Sequence, residues 1–560
     1  MLRAKWKFDA WKLWTTVAVS AALLELPFPL AGPLPAWRSV FAWFALTPLL
    51  WALLGATDAE EPRPLRRSFL LGYFCGTLWF AGNCYWVRDT MQHYGDLPVG
   101  VPTLLLVGFS LYLGLYMGCF GLGVALVRRA TDSTRLTLVA VPFLWVAMEL
   151  AAARVTGFPW DQLGMTQVDN GLLTQLAPWT GVYGISFVVM AANALLAGAL
   201  VLEPHSQRRA WGAAGAVLLA VGVTGLTLAS PQPAATASAV LVQPNLNVAD
   251  DNLWQGPGEW EQHIANFQRL ANQPCQSYTA GIPETGAPQE TSLCQPGASH
   301  PDLVVWPESP APFFESEPRF QQAMKDVATS AQAPLVVGGV GMEISPEDHL
   351  YHGYNSALVF APNGAPVGRY DKIHLVPFGE YVPFKRLLFF ARSLTGRVGD
   401  TERGVERKVF RLGSSNGQVH RYGVFICYES VFGDEIRQFA QLGAEVLVNV
   451  SDDGWYGDTS APWQHLNMAR MRAIENRRWI LRDTNSGVTA VIDPYGRVRQ
   501  SIARHQAGAL NARYGFRDDV TFYTAHGDLF AWACAILTIG VVGWSLRVCL
   551  RRYLHPKVRS

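Results

Sequence analysis

The hydrophobic positions of the chain change their pattern near residue 230. Before that point, long uncharged apolar runs recur, each close to the ~20 residues that a helix needs to cross a bilayer. One more run lies near the carboxyl end. Together they predict membrane spans at approximately 14–30, 39–57, 68–87, 100–126, 136–155, 175–202, 211–229 and 529–550. The first run lacks a small-residue cleavage site leading into a soluble domain, so we expect it to remain as an anchor.

From residue 238 onward, short β-branched runs are punctuated by Gly, Pro and Asn, a pattern typical of buried strands. The predicted strands are 238–243, 303–306, 335–340, 356–360, 422–427 and 445–450. Helical patterns lie between several of them, at 319–331, 432–442 and 463–477. This alternation predicts an α/β domain with a largely buried sheet, and the segment is long enough for one large core.

The distribution of Lys and Arg predicts how the chain crosses the membrane, because these residues accumulate in cytoplasmic loops. With the amino terminus inside, the cytoplasmic segments hold Arg3, Lys5, Lys7, Lys12, Arg63, Arg66, Arg67, Arg128, Arg129, Arg135, Arg208, Arg209, Arg547, Arg551, Arg552, Lys557 and Arg559. The short outside loops hold only Arg38, Arg88 and Arg154. We therefore predict a seven-span membrane domain at 1–229, an extracytoplasmic domain at 230–525, and a final span with a cytoplasmic tail at 526–560.

Composition agrees with a lipid-embedded part joined to a water-exposed one. Charged residues make up 16% of the 560 residues and hydrophobic residues 50%, while soluble proteins usually carry about 25% charged residues. The mean hydropathy of +0.12 is too low for a chain made of spans alone. A formal net charge of +1 excludes a protein built mainly to neutralise phosphates, so we expect no nucleic-acid partner.

Cysteine positions become informative once the domain is placed outside the cytoplasm. Cys275 and Cys294 bracket a loop rich in Pro, Gly, Ser, Thr and Gln, and an oxidising compartment favours their pairing as a disulfide. Cys427 is then the unpaired cysteine of the domain. It ends a strand-like run and precedes a helical stretch, where a thiol is exposed to the helix N–H groups that favour a thiolate. The alternative is a buried core cysteine.

Two further motifs favour chemistry at Cys427. Glu308, in Trp306-Pro307-Glu308, follows a buried strand directly, where partial desolvation can raise a carboxyl pKa enough for it to accept a thiol proton. Lys372 can favour a thiolate and stabilise an oxyanion, and Glu380 can hold this lysine in place. Taken alone, Trp306-Pro307-Glu308 is more typical of a surface turn than of a catalytic base. An isolated lysine such as Lys372 is usually a solvated surface residue.

Together these motifs resemble the nitrilase superfamily, with its Glu-Lys-Cys triad on an α-β-β-α sandwich. More specifically, the chain resembles the apolipoprotein N-acyltransferase family, the membrane-bound branch that completes bacterial lipoprotein maturation. The matching blocks are the eight spans and 156–160, 306–308, 372–380, 426–429, 455–458, 462–465 and 484–490. The family often has Ser-Asn-Asp where this chain has Ser451-Asp452-Asp453.

The resemblance implies roles for individual residues. Glu308 would be the general base, Lys372 the oxyanion-stabilising cation and Cys427 the nucleophile. Glu380 and Glu429 would be supporting carboxylates that orient Lys372 and the substrate amine. Tyr428 would flank the nucleophile, with its backbone N–H near the oxyanion. Trp254 matches a tryptophan that the family needs near the site.

The implied reaction is a two-step, ping-pong acyl transfer at the bacterial inner membrane, with the catalytic domain in the periplasm. A phospholipid, with the sn-1 chain of phosphatidylethanolamine expected, would acylate Cys427. The α-amine of an N-terminal S-diacylglyceryl-cysteine would then take the acyl group. Because both partners are lipids, the site must lie at the bilayer surface. A lipid-facing lid is predicted from the apolar residues Phe384, Leu387, Leu388, Phe389 and Phe390; a buried core helix is the alternative.

Two other functions compete with this one. In a membrane-tethered nitrilase-type amidase, water instead of an amine would resolve the thioester. In a transporter, Glu149 would be the coupling carboxylate, whereas the plainer interpretation pairs Glu149 with Arg154 at the membrane interface. Because the sequence contains no metal-ligand spacing and no phosphate-binding glycine loop, we predict no metal and no cofactor. A monomer is expected.

Overall fold

The computed structural model describes residues 10–57, 63–95, 97–228, 230–248, 258–272, 277–279, 290–292, 300–308, 313–344, 349, 351–381 and 401–554. Helices fill the first part of this chain. They are α1 (Ala10–Glu25), α2 (Thr47–Gly55), α3 (Pro64–Asn83), α4 (Trp86–Tyr94), α5 (Val101–Thr131), α6 (Thr134–Ala151), α7 (Ala177–Thr180), α8 (Val182–Val201) and α9 (His205–Gly225). Their starts carry familiar signals: a proline lies in the first turn of α2, α3 and α5, and the Ser133 side chain caps α6.

Helix is present in every stretch that the sequence predicted to span. Within the described residues, five helical stretches are long and apolar enough to cross a membrane: Ala36–Gly55, Val101–Thr131, Thr134–Thr156, Val182–Val201 and Leu529–Leu554. The predicted spans at 14–30, 68–87 and 211–229 correspond to helices outside this group. Helix α1 has 16 residues, and α3 and α9 each carry a pair of arginines near their start. The count of eight spans therefore stays a prediction.

The outer faces of several of these helices are apolar and exposed, which a soluble protein would avoid. The exposed residues include Leu104, Val107 and Leu111 on α5, and Ile536, Leu537 and Ile539 near the carboxyl end. At one end of the bundle, Arg552 Nη1 donates to the carbonyl of Arg129 at 2.6 Å. The arginine-rich ends of two helices therefore lie on the same side, as the charge pattern predicted.

The second part contains fifteen strands among the described residues. They are β1 (Ala237–Gln243), β2 (Ser277–Thr279), β3 (Glu290–Ser292), β4 (Leu303–Trp306), β5 (Leu335–Ile344), β6 (Tyr351–Phe360), β7 (Pro366–Asp371), β8 (Thr401–Glu402), β9 (Val409–Gly413), β10 (Val419–Ile426), β11 (Val446–Ser451), β12 (Trp479–Thr484), β13 (Thr489–Ile492), β14 (Val498–Ile502) and β15 (Gly508–Tyr514). The remaining helices are α10 (Glu259–Ala271), α11 (Pro318–Ala331), α12 (Gly433–Gln441), α13 (Ala461–Asn476), α14 (Phe522–His526) and α15 (Leu529–Leu554). All six predicted strands and all three predicted helices are confirmed.

The strands form two sheets. One has the order β15-β1-β4-β5-β6-β7, with β8 paired to β6, and β1, β4 and β5 run parallel. The other has the order β3-β2-β14-β13-β12-β11-β10-β9, with β10, β11 and β12 parallel. Parallel strands at the centre of each sheet are buried on both faces, which explains their near-continuous Val, Ile and Leu runs.

Alternating side chains join the two sheets into one core. Leu241 and Val305 point to the space between the sheets, while their neighbours Val240 and Val304 pack under α10 and α11 on the outer face. On the opposite side of the second sheet, Phe439 of α12 is a buried member of the same hydrophobic cluster as Leu241 and Val305. The layers therefore follow the order helix, sheet, sheet, helix.

Helix α13 is buried on all sides because it lies between the second sheet and the membrane helices. Trp463 and Leu466 belong to the core of the α/β part, whereas Met468 and Met471 pack with the membrane helices. The two parts thus share α13 as a common wall.

Candidate active site

Four polar side chains meet between the strand ends of the first sheet. Lys372 Nζ donates to Glu308 Oε1 at 3.1 Å and to Glu380 Oε1 at 3.0 Å. Asn355 Nδ2 donates to the same two oxygens at 2.7 and 2.6 Å. Glu308 follows β4, Lys372 follows β7, and Asn355 lies in β6 between them in the sheet. We call Glu308, Asn355, Lys372 and Glu380 the lysine cluster.

The three ionisable members of the lysine cluster, Glu308, Lys372 and Glu380, are buried. Lys372 is only 1% exposed, and burial alone would lower its pKa. Glu308 and Glu380 outweigh this effect and hold the pKa of Lys372 well above its usual value. Lys372 is therefore a permanent cation, fixed in place by carboxylates and able to stabilise negative charge on a neighbouring atom.

Cys427 lies at a sharp bend directly after β10. It opens the short helical turn Cys427–Val431, and its φ of 47° places it in the left-handed region, at a cost of about 1–3 kcal/mol for a residue other than glycine. Burial raises the pKa of the Cys427 thiol well above its usual value, Glu308 raises it further, and Lys372 opposes both. These effects together favour the protonated thiol over the thiolate.

The second sheet holds the other oxygen of Glu308. The backbone N–H of Asp452, directly after β11, donates to Glu308 Oε2 at 2.9 Å. The Asp452 carboxyl accepts from Gly454 N at 2.9 Å and lies 3.2–3.3 Å from Asn485 Nδ2. Burial raises the pKa of Asp452 well above its usual value, and Glu308 adds to the shift. Burial of Asp452 beside Glu308 thus favours the protonated form of the Asp452 carboxyl.

Glu429 connects the loop after Lys372 to the strand that leads to Cys427. Its Oε1 accepts from Tyr370 Oη at 2.8 Å, from Ile373 N at 2.7 Å and from His374 N at 3.2 Å. Its Oε2 accepts from Ile426 N at 2.7 Å. The contacts of Glu429 are thus with backbone and Tyr370, and they fix the position of Lys372 and Cys427 relative to each other.

Tyr428 reaches from the site into the membrane part. Its hydroxyl donates to the carbonyl of Gly157 at 3.1 Å, and its ring packs edge-on against Phe432 at 5.2 Å. Gly157 belongs to the run 156–160, one of the blocks that carry the family resemblance. Tyr428, the residue next to Cys427, therefore contacts the loop that follows the helical stretch Thr134–Thr156.

Known proteins match this chain part by part. The family model described as "Apolipoprotein N-acyltransferase N-terminal domain" matches residues 20–195, and "Carbon-nitrogen hydrolase" matches residues 239–510. An apolipoprotein N-acyltransferase of Geobacter metallireducens is 36% identical, over 96% of this chain and 95% of that relative. One of Bordetella bronchiseptica is 30% identical, over 93% of this chain and 95% of that relative. The chain belongs to the apolipoprotein N-acyltransferase family.

Membership in the apolipoprotein N-acyltransferase family makes this protein an acyltransferase of lipoprotein maturation with a nitrilase-like α/β domain. A nitrilase-superfamily protein of Saccharomyces cerevisiae is similar in structure, with a TM-score of 0.34 and 19% sequence identity. The similarity covers 53% of this chain and 97% of that one.

Several residues that the sequence analysis singled out lie outside the described residues. They are Trp254, the lid residues Phe384, Leu387, Leu388, Phe389 and Phe390, and the cysteines Cys275 and Cys294. Cys427 is a free cysteine. In the part of the chain that the structure describes, no group of three or more His, Cys, Asp or Glu side chains is arranged to hold a metal ion.

Sequence reasoning missed Asn355, which hydrogen-bonds both carboxylates of the lysine cluster. The available signal was the position of this polar amide inside the strand Tyr351–Phe360, directly before the buried residues of that strand. Such an amide needs hydrogen-bond partners when it is buried. In this protein these partners are the carboxylates of Glu308 and Glu380.

Proposed function

We propose that this protein transfers an acyl chain from a phospholipid, with the sn-1 chain of phosphatidylethanolamine as the expected donor, to an apolipoprotein. The acceptor is the α-amine of the N-terminal S-diacylglyceryl-cysteine. The acyl group passes through a thioester on Cys427, and the two substrates react in turn. Family membership supplies the reaction class, and the residue roles are inferred from the site.

One observation carries the proposal of a Glu308-Lys372-Cys427 triad. A buried thiol, a fixed cation and a carboxylate influence one another electrostatically at one point between the sheets. Burial and Glu308 raise the pKa of Cys427, so its proton must be removed as the sulfur attacks. Glu308, held by Lys372, Asn355 and the backbone of Asp452, is the carboxylate placed to receive it.

In the first step, the Cys427 sulfur forms a bond to the ester carbonyl carbon while Glu308 takes the thiol proton. Lys372 stabilises the oxyanion of the tetrahedral intermediate, together with the backbone N–H of Tyr428. The ester C–O bond then breaks, and Glu308 returns the proton to the departing lysophospholipid oxygen. Cys427 is left as a thioester.

In the second step, the acceptor amine attacks the thioester carbonyl and gives a proton to Glu308. The C–S bond breaks, the proton returns to the sulfur, and the N-acylated lipoprotein leaves. Because ester and amine never occupy the site together, ping-pong kinetics are expected. If water took the place of the amine, the same groups would act as a membrane-tethered amidase or thioester hydrolase.

The membrane part fits this proposal because both substrates are lipids. Exposing an acyl chain of about 16 carbons to water costs on the order of 10 kcal/mol, at about 0.8 kcal/mol per CH₂. We propose eight spans, both termini in the cytoplasm, and a periplasmic catalytic domain at 230–525 between membrane segments 1–229 and 526–560. The hydrogen bond from Tyr428 to Gly157 supports a site at the bilayer surface.

Other residues complete the proposal from sequence. Phe384, Leu387, Leu388, Phe389 and Phe390 form a lipid-facing lid, Trp254 lies near the bound substrate, and Cys275 pairs with Cys294. Glu380 orients Lys372, a role that its hydrogen bond to Nζ supports. The protein acts as a monomer.

Mass spectrometry of the purified protein after incubation with phosphatidylethanolamine alone tests the proposal. The intact mass should increase by one acyl group, mapped to Cys427, and C427A should show no increase. C119A is the matched control because Cys119 is a free, exposed cysteine on α5, away from the site. This variant should be acylated like the unaltered protein.

Adding a diacylated lipopeptide to the acylated protein tests the second step. The acyl mass should leave Cys427 and appear on the peptide amine. Release of free fatty acid with an unmodified peptide would identify an amidase instead. Acylation that persists in C427A would overturn the assignment of the nucleophile.

A further inference from the structure

His465 is a fully buried histidine behind the nucleophile, on the first turns of α13. Its Nε2 lies 3.0 Å from the backbone carbonyl oxygen of Cys427. Its Nδ1 lies 2.9 Å from Asp453 Oδ1 and 3.1 Å from Arg482 Nη2. Arg482 also pairs with Asp453 Oδ2 at 2.7 Å. We call Asp453, His465 and Arg482 the arginine cluster.

The direction of the hydrogen bond to Cys427 follows from its acceptor. A carbonyl oxygen only accepts, so Nε2 of His465 carries the hydrogen and donates it. This holds in both protonation states of the ring: the neutral form accepts from Arg482 at Nδ1, and the charged form donates to Asp453. The N–H at Nε2 is therefore a constant feature of the site.

The carbonyl that His465 holds belongs to a residue in a strained conformation. Cys427 has a φ of 47°, and its side-chain direction depends on how this peptide unit is fixed. Lys372 and Glu308 act electrostatically on the Cys427 thiol, while His465 hydrogen-bonds to the Cys427 backbone carbonyl. Rotation of this peptide unit would turn the sulfur away from the lysine cluster.

The same helical turn is also attached to the membrane part. Gln464, next to His465, accepts a hydrogen bond from Trp160 Nε1 at 2.8 Å and donates to Asn83 Oδ1 at 3.0 Å and to the carbonyl of Pro29 at 3.2 Å. The Trp160 ring lies nearly parallel to the His465 ring, at 19° and a centroid distance of 6.1 Å. The position of His465 is thus set by the membrane helices as well as by Asp453 and Arg482.

We propose that His465 is a positioning residue for the acyl transfer: by donating to the Cys427 carbonyl from a helix docked on the membrane part, it sets the direction of the nucleophilic sulfur. His465 does not touch the substrate and exchanges no proton with it. The inference rests on the proposed function in taking Cys427 as the nucleophile.

The test compares H465L, which removes the donor, with H465Q, whose amide can reach the Cys427 carbonyl. Single-turnover acylation by phosphatidylethanolamine gives the rate constant and the half-saturating lipid concentration. Since misplacement of a reacting group by about 1 Å can cost about 100-fold in rate, H465L should lose between about 10-fold and 100-fold in the rate constant. The half-saturating concentration should stay unchanged, and H465Q should recover most of the rate.

H420L is the matched control. His420 is likewise paired with a carboxylate, Glu445, at 2.6 Å, but it lies at the far end of β10 from Cys427. H420L should keep the rate of the unaltered protein. A purely structural role of His465 predicts lower melting temperatures for both H465L and H465Q with an unchanged rate per folded molecule, and this result would overturn the proposal.

If H465L does not fold, H465N replaces it. The shorter Asn amide can meet Asp453 and Arg482 but falls short of the carbonyl, so H465N should be slow where H465Q is fast. Equal rates for these two variants would overturn the inference. Failure of the proposed function is distinguishable, because then the unaltered protein itself would form no thioester on Cys427.

Discussion

Two charged clusters act on Cys427, one on its thiol and one on its backbone carbonyl, and they differ in charge balance. In the lysine cluster, the carboxylates of Glu308 and Glu380 share the single ammonium of Lys372. In the arginine cluster, the carboxylate of Asp453 faces the guanidinium of Arg482. The first cluster has an excess of negative charge, and the second is balanced.

This difference in charge balance suits the two clusters to different proposed roles. When buried carboxylates outnumber their cations, protonation of one carboxylate is favourable, because it removes an uncompensated charge. In the proposed mechanism Glu308 accepts the thiol proton, which leaves Lys372 and Glu380 as a balanced pair. Protonation of Asp453 is not favoured in this way. Burial alone would raise its pKa, but Arg482 and His465 hold that pKa below the usual range. We therefore assign proton exchange to the lysine cluster and the positioning of Cys427 to the arginine cluster, as part of the proposals above.

The largest effect is expected from removing the proton acceptor. E308Q keeps the size of the side chain and an oxygen for Lys372, but its amide cannot take the thiol proton. Acylation of Cys427 by phospholipid should slow by about 100-fold to 10,000-fold, the range typical of a lost general base. Single-turnover mass spectrometry of the thioester measures this rate.

E315Q is the control for E308Q, because Glu315 pairs with Arg369 at 2.8 Å outside the lysine cluster. It should acylate at the rate of the unaltered protein. If E308Q also forms the thioester at that rate, Glu308 is not the base, and the assignment of proton exchange to the lysine cluster is wrong.

Sequence patterns predicted the α/β part well because its strands are buried on both faces and its helices are amphipathic. The membrane part was harder. The predicted span at 39–57 consists of the 3₁₀ stretch Ala36–Trp43 followed by the short helix Thr47–Gly55. An apolar run indicates that a segment is buried in lipid or protein, but it does not indicate whether the backbone forms one continuous helix there.

For the candidate site, local motifs singled out Glu308, Lys372, Glu380 and Cys427, because each follows a strand or lies in a distinctive run; their catalytic roles stay predictions. The role of α13 could not be predicted. Its charged residues look like a solvated face, but Arg470 pairs with Asp169, and Glu475 accepts from the backbone N–H of Val182 at 3.0 Å. These partners lie about three hundred residues away in the chain, and no local pattern records such a contact.

Breaking the arginine cluster should affect stability more than chemistry. R482M leaves Asp453 buried without its cation, which should destabilise the fold by about 3–5 kcal/mol. R421M removes a partly exposed pair, Arg421 with Glu445 at 3.0 Å, and should cost less than about 1 kcal/mol. Thermal unfolding of the purified proteins measures both. Equal shifts for the two variants would contradict the assigned role of the buried pair.

The smallest effect is expected at Asp452, a carboxyl that belongs to neither cluster. Burial and Glu308 raise its pKa well above the usual value, so the folded protein keeps this proton after the unfolded chain has released it at about pH 4. Stability from this group is present below that pH and is lost as the pH rises through the folded pKa. D452N has no proton to lose, and the backbone N–H that holds Glu308 remains.

The melting temperature of D452N should therefore exceed that of the unaltered protein at neutral pH, by about 2–4 °C for each kcal/mol gained. The two should converge near pH 4, with little change in the rate of thioester formation at neutral pH. A difference that does not vary with pH would mean that Asp452 does not titrate on unfolding. A lower melting temperature for D452N at neutral pH would mean that the folded protein holds Asp452 as an anion, and the excess negative charge around Lys372 would then be larger than the lysine cluster alone provides.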